Sequence, residues 1–195
     1  MGTNKFNGIQ KVSYQQAITQ IKTGDILLCS GQYLVSELIK KFSDSIFSHV
    51  ALLIYWNDHL LVLESVEDDG VRIVPLSHYI SNYENSGSKY KGELYIAHHQ
   101  LIDDVNFDKE KTKKMFNKAI SLLNCNYDKD EVAQIIARIA LNIGRHKDND
   151  KYICSEFVET CFNEMEIKFS KDEKGFIFPE HIAADSNVKP LFEII

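Results

Sequence analysis

The sequence predicts an α+β fold, and three observations carry that prediction. Short apolar runs bounded by turn residues crowd the span from Gly24 to His98 and read as strands. Beyond Asp108 the apolar residues fall at helical spacing instead. No internal repeat, low-complexity tract or linker divides the 195 residues. That length suits one domain with a sizeable core, so a single α+β domain over residues 1–195 is the simplest account.

The elements follow in order. Ser13 to Lys22 reads as a short helix, with Ser13 as N-cap and Gln16 at capping-box spacing. Gly24 to Cys29 is a buried strand that Gly31 breaks, and Tyr33 to Phe42 is a helix with Leu34, Val35, Leu38, Ile39 and Phe42 on one side. His49–Trp56 and Leu60–Glu67 are two strands of a hairpin. The Asp68-Asp69-Gly70 turn leads to a third strand, Val71–Pro75, and then to a short helix. Residues 82–92 are polar and loop-like, and Glu93–His98 is another strand. Helices are expected at Asp108–Leu123, at Glu131–Ile143, at Cys154–Met165 and near Glu180–Ala184.

Bulk composition excludes several function classes. The chain is 44% hydrophobic and 26% charged, ordinary for a globular domain, and its formal net charge of -6 argues against a nucleic-acid partner. Lys109, Lys111, Lys113 and Lys114 sit beside acids and read as a solvated helix face. No apolar run reaches the ~20 residues of a membrane span, and residues 1–10 show no signal-peptide core. Phe6 breaks the myristoylation pattern. A cytoplasmic location is therefore expected. The four cysteines contain no C-x2-C pair, which suggests free thiols rather than a zinc or disulfide framework. No histidine has metal-ligand spacing with a Cys, Asp or Glu partner. No cofactor motif such as a glycine-rich phosphate loop is present, so neither a metal nor a cofactor is expected.

One constellation points to chemistry. Cys154 opens a helix, where unpaired N–H groups and the helix dipole favour a thiolate and can bind an oxyanion. It lies three and four residues before Phe157 and Val158, on the helix's inward side. Cys161, mid-helix on the apolar stripe, reads as a small buried hydrophobe, as do Cys29 at a strand end and Cys125 between helices. His49 opens a strand. If Asn57-Asp58 is a two-residue turn, Trp56 faces His59 and Glu64 faces Ala51, and His49 is then Glu64's diagonal neighbour on one face. Glu64 is placed there to orient the imidazole, a role that a one-residue slip would abolish. The expectation needs the Cys154 helix to pack against that same face.

Gly24-Asp25-Ile26-Leu27, Ser48-His49-Val50-Ala51-Leu52-Leu53, Leu63-Glu64, Tyr127-Asp128, Tyr152-Ile153-Cys154-Ser155-Glu156-Phe157-Val158 and Phe178-Pro179-Glu180, in this order, resemble the circularly permuted, YiiX-like branch of the NlpC/P60 papain-like superfamily. The likeness runs from about Gly24 to about Ala184. It implies a central antiparallel sheet or small barrel packed by helices, and a thiol hydrolase whose histidine precedes its cysteine. Cys154 matches the nucleophile, His49 the general base and Glu64 the polar orienter. Tyr127 and Tyr152 are the substrate-binding candidates. Standard members cut cell-wall peptides, whereas permuted relatives include lipid acyltransferases and phospholipases. The partner is thus a small peptide or a lipid-like substrate. A non-catalytic binding module on a degenerate papain-like fold is the competing class. The sequence leaves the oligomeric state open.

Overall fold

The computed structural model describes residues 2–102, 109–129 and 151–195. Among the described residues, seven strands form one sheet: β1 (Lys11–Val12), β2 (Ile26–Gly31), β3 (His49–Trp56), β4 (His59–Val66), β5 (Gly70–Pro75), β6 (Gly92–His99) and β7 (Val188–Ile194). Their order is β1-β7-β6-β2-β3-β4-β5. Every pair is antiparallel except β1 with β7. The described helices are α1 (Tyr14–Ala17), α2 (Leu34–Ser43), α3 (Leu76–Ser81), α4 (Lys109–Ser121), α5 (Cys154–Asn163) and α6 (Pro179–Ala184). The α+β class and the antiparallel sheet packed by helices are as predicted. The expected helix Glu131–Ile143 lies outside the described residues.

Period-two alternation sorts the sheet into two apolar faces. Leu28, Val50, Leu52 and Leu63 point to one side, where they meet Phe157, Val158 and Phe162 of α5 and Met115 and Ala119 of α4. Leu27, Cys29, Ala51, Leu53 and Val62 point to the other, where they meet Tyr79 of α3 and Ala17 of α1. With both faces covered, the central strands are nearly continuous apolar runs, and each fully buried side chain such as Leu52 or Phe157 contributes about 1.5–3 kcal/mol.

The β3–β4 hairpin has the predicted register, with Trp56 opposite His59 and Leu52 opposite Leu63. Asn57 takes the left-handed backbone (φ 52°) that such a turn requires. The capping box at Ser13 is present: the Gln16 amide reaches the Ser13 hydroxyl and the Ser13 amide reaches the Gln16 side chain. The helix it starts is only one turn long. β2 runs two residues further than predicted, so Cys29 sits within the strand rather than at its end. Strands β1 and β7 are not predicted by local pattern. β7 carries Pro190, which fits because the ladder with β6 shifts register there: Ile96 pairs with Phe192 and Ala97 with Pro190.

Candidate active site

His49 is the first residue of β3, and Glu64 lies near the end of β4 on the same face. Their side chains meet, with His49 Nε2 2.8 Å from Glu64 Oε2. Glu64 is fully buried and His49 is mostly so. Because Nε2 is taken by the carboxylate, Nδ1 is the ring nitrogen left for a further partner. The Cys154 side chain is close enough to act on the same imidazole and stabilise its charged form.

Cys154 is the first helical residue of α5, after the N-cap Ile153. The Glu156 carboxylate reaches back to the Ile153 amide at 3.0 Å, one half of a capping box. Ser155 ties the same turn to the Ile177 carbonyl at 2.7 Å. The first-turn amides have no intrahelical acceptor, so donors converge beside the sulfur. The apolar side of α5 does not pack on the face that carries His49 and Glu64. It packs on the opposite one, with Leu28, Val50 and Leu63. Cys154 and His49 still meet because each is the first residue of its element, so the contact forms at the end of the strand and not across the sheet surface. This corrects the packing expected from sequence.

Electrostatics hold the pair. Burial works to lower the His49 pKa, but the Cys154 sulfur, by charge and hydrogen bond, and then Glu64 outweigh it and push it up to about 10. Burial works to raise the Glu64 pKa, yet the His49 hydrogen bond and charge, the Arg72 charge and the Tyr79 hydroxyl hold it below the usual carboxylate range. Arg72 Nε donates to Glu64 Oε1 at 2.9 Å, and the buried Tyr79 hydroxyl donates to Oε2. Burial keeps the Cys29 and Cys161 thiols protonated, pushing both well up.

A cleft of about 330 Å³ opens beside His49, with Ser48, Tyr33, Tyr83, Arg72 and Tyr127 among its walls. Tyr127 packs beside Ile153, Phe176 and Phe178. Tyr152 does not line this cleft among the described residues. Its ring packs on the main core and its carbonyl accepts from Ser65 at 2.6 Å. Sequence pattern alone does not point to Arg72 or Tyr79. Turn chemistry carries a signal for Arg72, because the Asp68-Asp69-Gly70 turn sets Arg72 directly opposite Glu64 across β4 and β5.

A family model described as permuted papain-like amidase enzyme, YaeF/YiiX, C92 family, matches residues 20–188. The chain belongs to that family. Membership supports a hydrolase of the cysteine type. The fold of this C92-family chain is similar to the crystal structure of metalloprotein YiiX from Escherichia coli O157:H7. The likeness covers 88% of this chain and 97% of that one, with a TM-score of 0.65 and 17% sequence identity. No curated protein matches the chain. YiiX is described as a metalloprotein, but among the described residues of this chain no group of three or more His, Cys, Asp or Glu could hold a metal ion. Glu64 is already committed to His49, Arg72 and Tyr79. These residues do not fit a metal. No described helix is long and apolar enough to cross a membrane.

Proposed function

We propose that the chain acts over residues 1–195 as one catalytic unit, a cysteine amidase that cleaves an amide bond in a small peptide. The observation that carries this reading is the imidazole of His49, hydrogen-bonded to Glu64 at 2.8 Å and held in its charged form by the nearby Cys154 side chain at the start of α5. His49 Nδ1 takes the proton from Cys154 Sγ, and the sulfur attacks the substrate carbonyl carbon. The oxyanion gathers against the first-turn amides of α5, beginning with that of Cys154. The imidazolium then returns the proton to the leaving nitrogen as the C–N bond breaks, giving a thioacyl-enzyme. Water, deprotonated by His49, attacks that thioester and releases the acid. Glu64 holds the ring orientation and supports its charged form. Tyr127 forms part of the substrate wall. Tyr152 contributes through its place in the segment leading to the nucleophile.

A second reading, a thiol-dependent lipid acyl hydrolase or acyltransferase, is favoured by one observation. The half-buried Val35 and Ile39 of α2 line the cleft beside the polar groups, as an acyl chain requires. The amidase description of the family favours the peptide.

The test is alkylation of the thiols by iodoacetamide between pH 5 and 9, read by mass spectrometry, for the wild type and for His49→Ala and Cys154→Ala. Cys154 is expected to react far faster than Cys161 near pH 6–7, and only when His49 is present. Equal rates would favour a non-catalytic binding module. Turnover of peptide amide libraries against acyl-lipid libraries then separates the two substrate classes.

A further inference from the structure

Arg72 has two environments. Its Nε faces inward to the fully buried Glu64 at 2.9 Å. Its fork faces outward to the rim: Nη2 donates to Glu84 at 2.6 Å, and Nη1 donates to Glu84 at 3.1 Å and to Asp69 at 2.5 Å. The guanidinium is one delocalised cation, so what its fork contacts alters what Nε offers Glu64. The outer carboxylates are about half exposed. Water and salt screen their hold on Arg72, and it is easily exchanged. Glu84 also sits in the left-handed region, at φ 51° and ψ 35°, which is unfavourable for a residue with a Cβ. The two-pronged Arg72 contact opposes that strain. Tyr83 and Glu84 line the same cleft as His49.

We propose that Arg72 is a positioning residue that couples the cleft rim, through Glu84 and Asp69, to the orientation and charge of the His49–Glu64 pair. The proposal rests on reading Cys154, His49 and Glu64 as a triad. A substrate group that engages Glu84, either a hydrogen-bond donor or a cation, releases positive charge of Arg72 toward Glu64. Rim occupancy and nucleophile chemistry are then linked. Among the described residues, the charged and titratable groups facing this pair are Arg72 of β5, Cys154 of α5, Tyr79 of α3, Cys29 of β2 and Tyr83 of the short turn before β6, while Glu84 and Asp69 reach it through Arg72.

The coupling predicts opposite signs from two substitutions. The pH profile of Cys154 alkylation should show two midpoints, one where reactivity appears and one where the imidazolium loses its proton. Arg72→Gln removes a positive charge and should move both midpoints up, by roughly one pH unit. Glu84→Gln removes a negative charge at the far end of the same cation and should move both down, by a few tenths of a unit given its exposure. Arg72→Lys keeps the charge and should stay near the wild type. Thermal melts establish that each variant is folded. Should Arg72→Gln not fold, Glu84→Gln and Arg72→Lys carry the test. A His49-dependent wild-type profile that Glu84→Gln leaves in place, or moves in the same direction as Arg72→Gln, overturns the coupling alone. A wild-type profile equal to that of His49→Ala overturns the triad, and the coupling with it.

Discussion

Glu64 is a buried carboxylate that accepts from an imidazole, a guanidinium and a phenol. Removing it leaves Arg72 and His49 without their shared counter-charge. Glu64→Ala should therefore destabilise the protein by about 3–5 kcal/mol in urea unfolding. Glu64→Gln keeps the shape but should lower kcat by roughly 10²–10⁴-fold on any substrate the wild type turns over. His49 and His99 give opposite pH signatures. The folded-state pKa of His49 is raised to about 10, above the ordinary value of about 6.5. Its contribution to stability is thus full below about 6.5 and is lost as pH rises through about 10. The melting temperature of the wild type should fall over that window relative to His49→Gln. His99 is fully buried against Phe162 and Phe169, and burial lowers its pKa. The unfolded chain takes up that proton first, so stability is lost as pH falls below about 6.5. His99→Phe should flatten the acid side of the melting curve.

At the scale of elements, the β3–β4 hairpin was legible because its turn chemistry and apolar pattern agree, and a two-residue turn leaves one register. The meeting of His49 with Glu64 followed from that register alone. The approach of α5 was not legible. Periodicity tells which side of a helix is apolar, and says nothing about which face of a sheet with two apolar sides it will cover. β7 was not legible either. Lys189, Pro190 and Glu193 interrupt any strand pattern, and their strand state comes from partners far away in sequence, β1 and β6. The β4–β5 turn offers a local test. Gly70 has φ +68°, and a Cβ there would come within 2.1 Å of the Cys125 carbonyl oxygen, the same oxygen that accepts the Val71 amide at 2.9 Å. Gly70→Ala combines a left-handed backbone with a clash against main chain. It should cost more than the ~1 kcal/mol of an ordinary glycine substitution, as a lowered urea midpoint, and should loosen the Arg72–Glu64 register beside it.

For the whole molecule, β7 is the last strand in sequence but an interior strand in space, lying between β1 and β6. Val188, Phe192 and Ile194 are buried there. Deleting residues 188–195 exposes a long edge of β6 and strips β1 of its partner. The far-UV circular dichroism of that truncation should lack a cooperative melt, and the protein should aggregate. The same placement bears on how the protein is made. A ribosome adding about 5–20 residues per second delivers the imidazole and its carboxylate roughly ninety residues before the thiol, and the strand that closes the sheet after that. During synthesis the emerging chain therefore holds a base without a nucleophile, behind an unfinished sheet edge that nascent-chain chaperones are suited to cover.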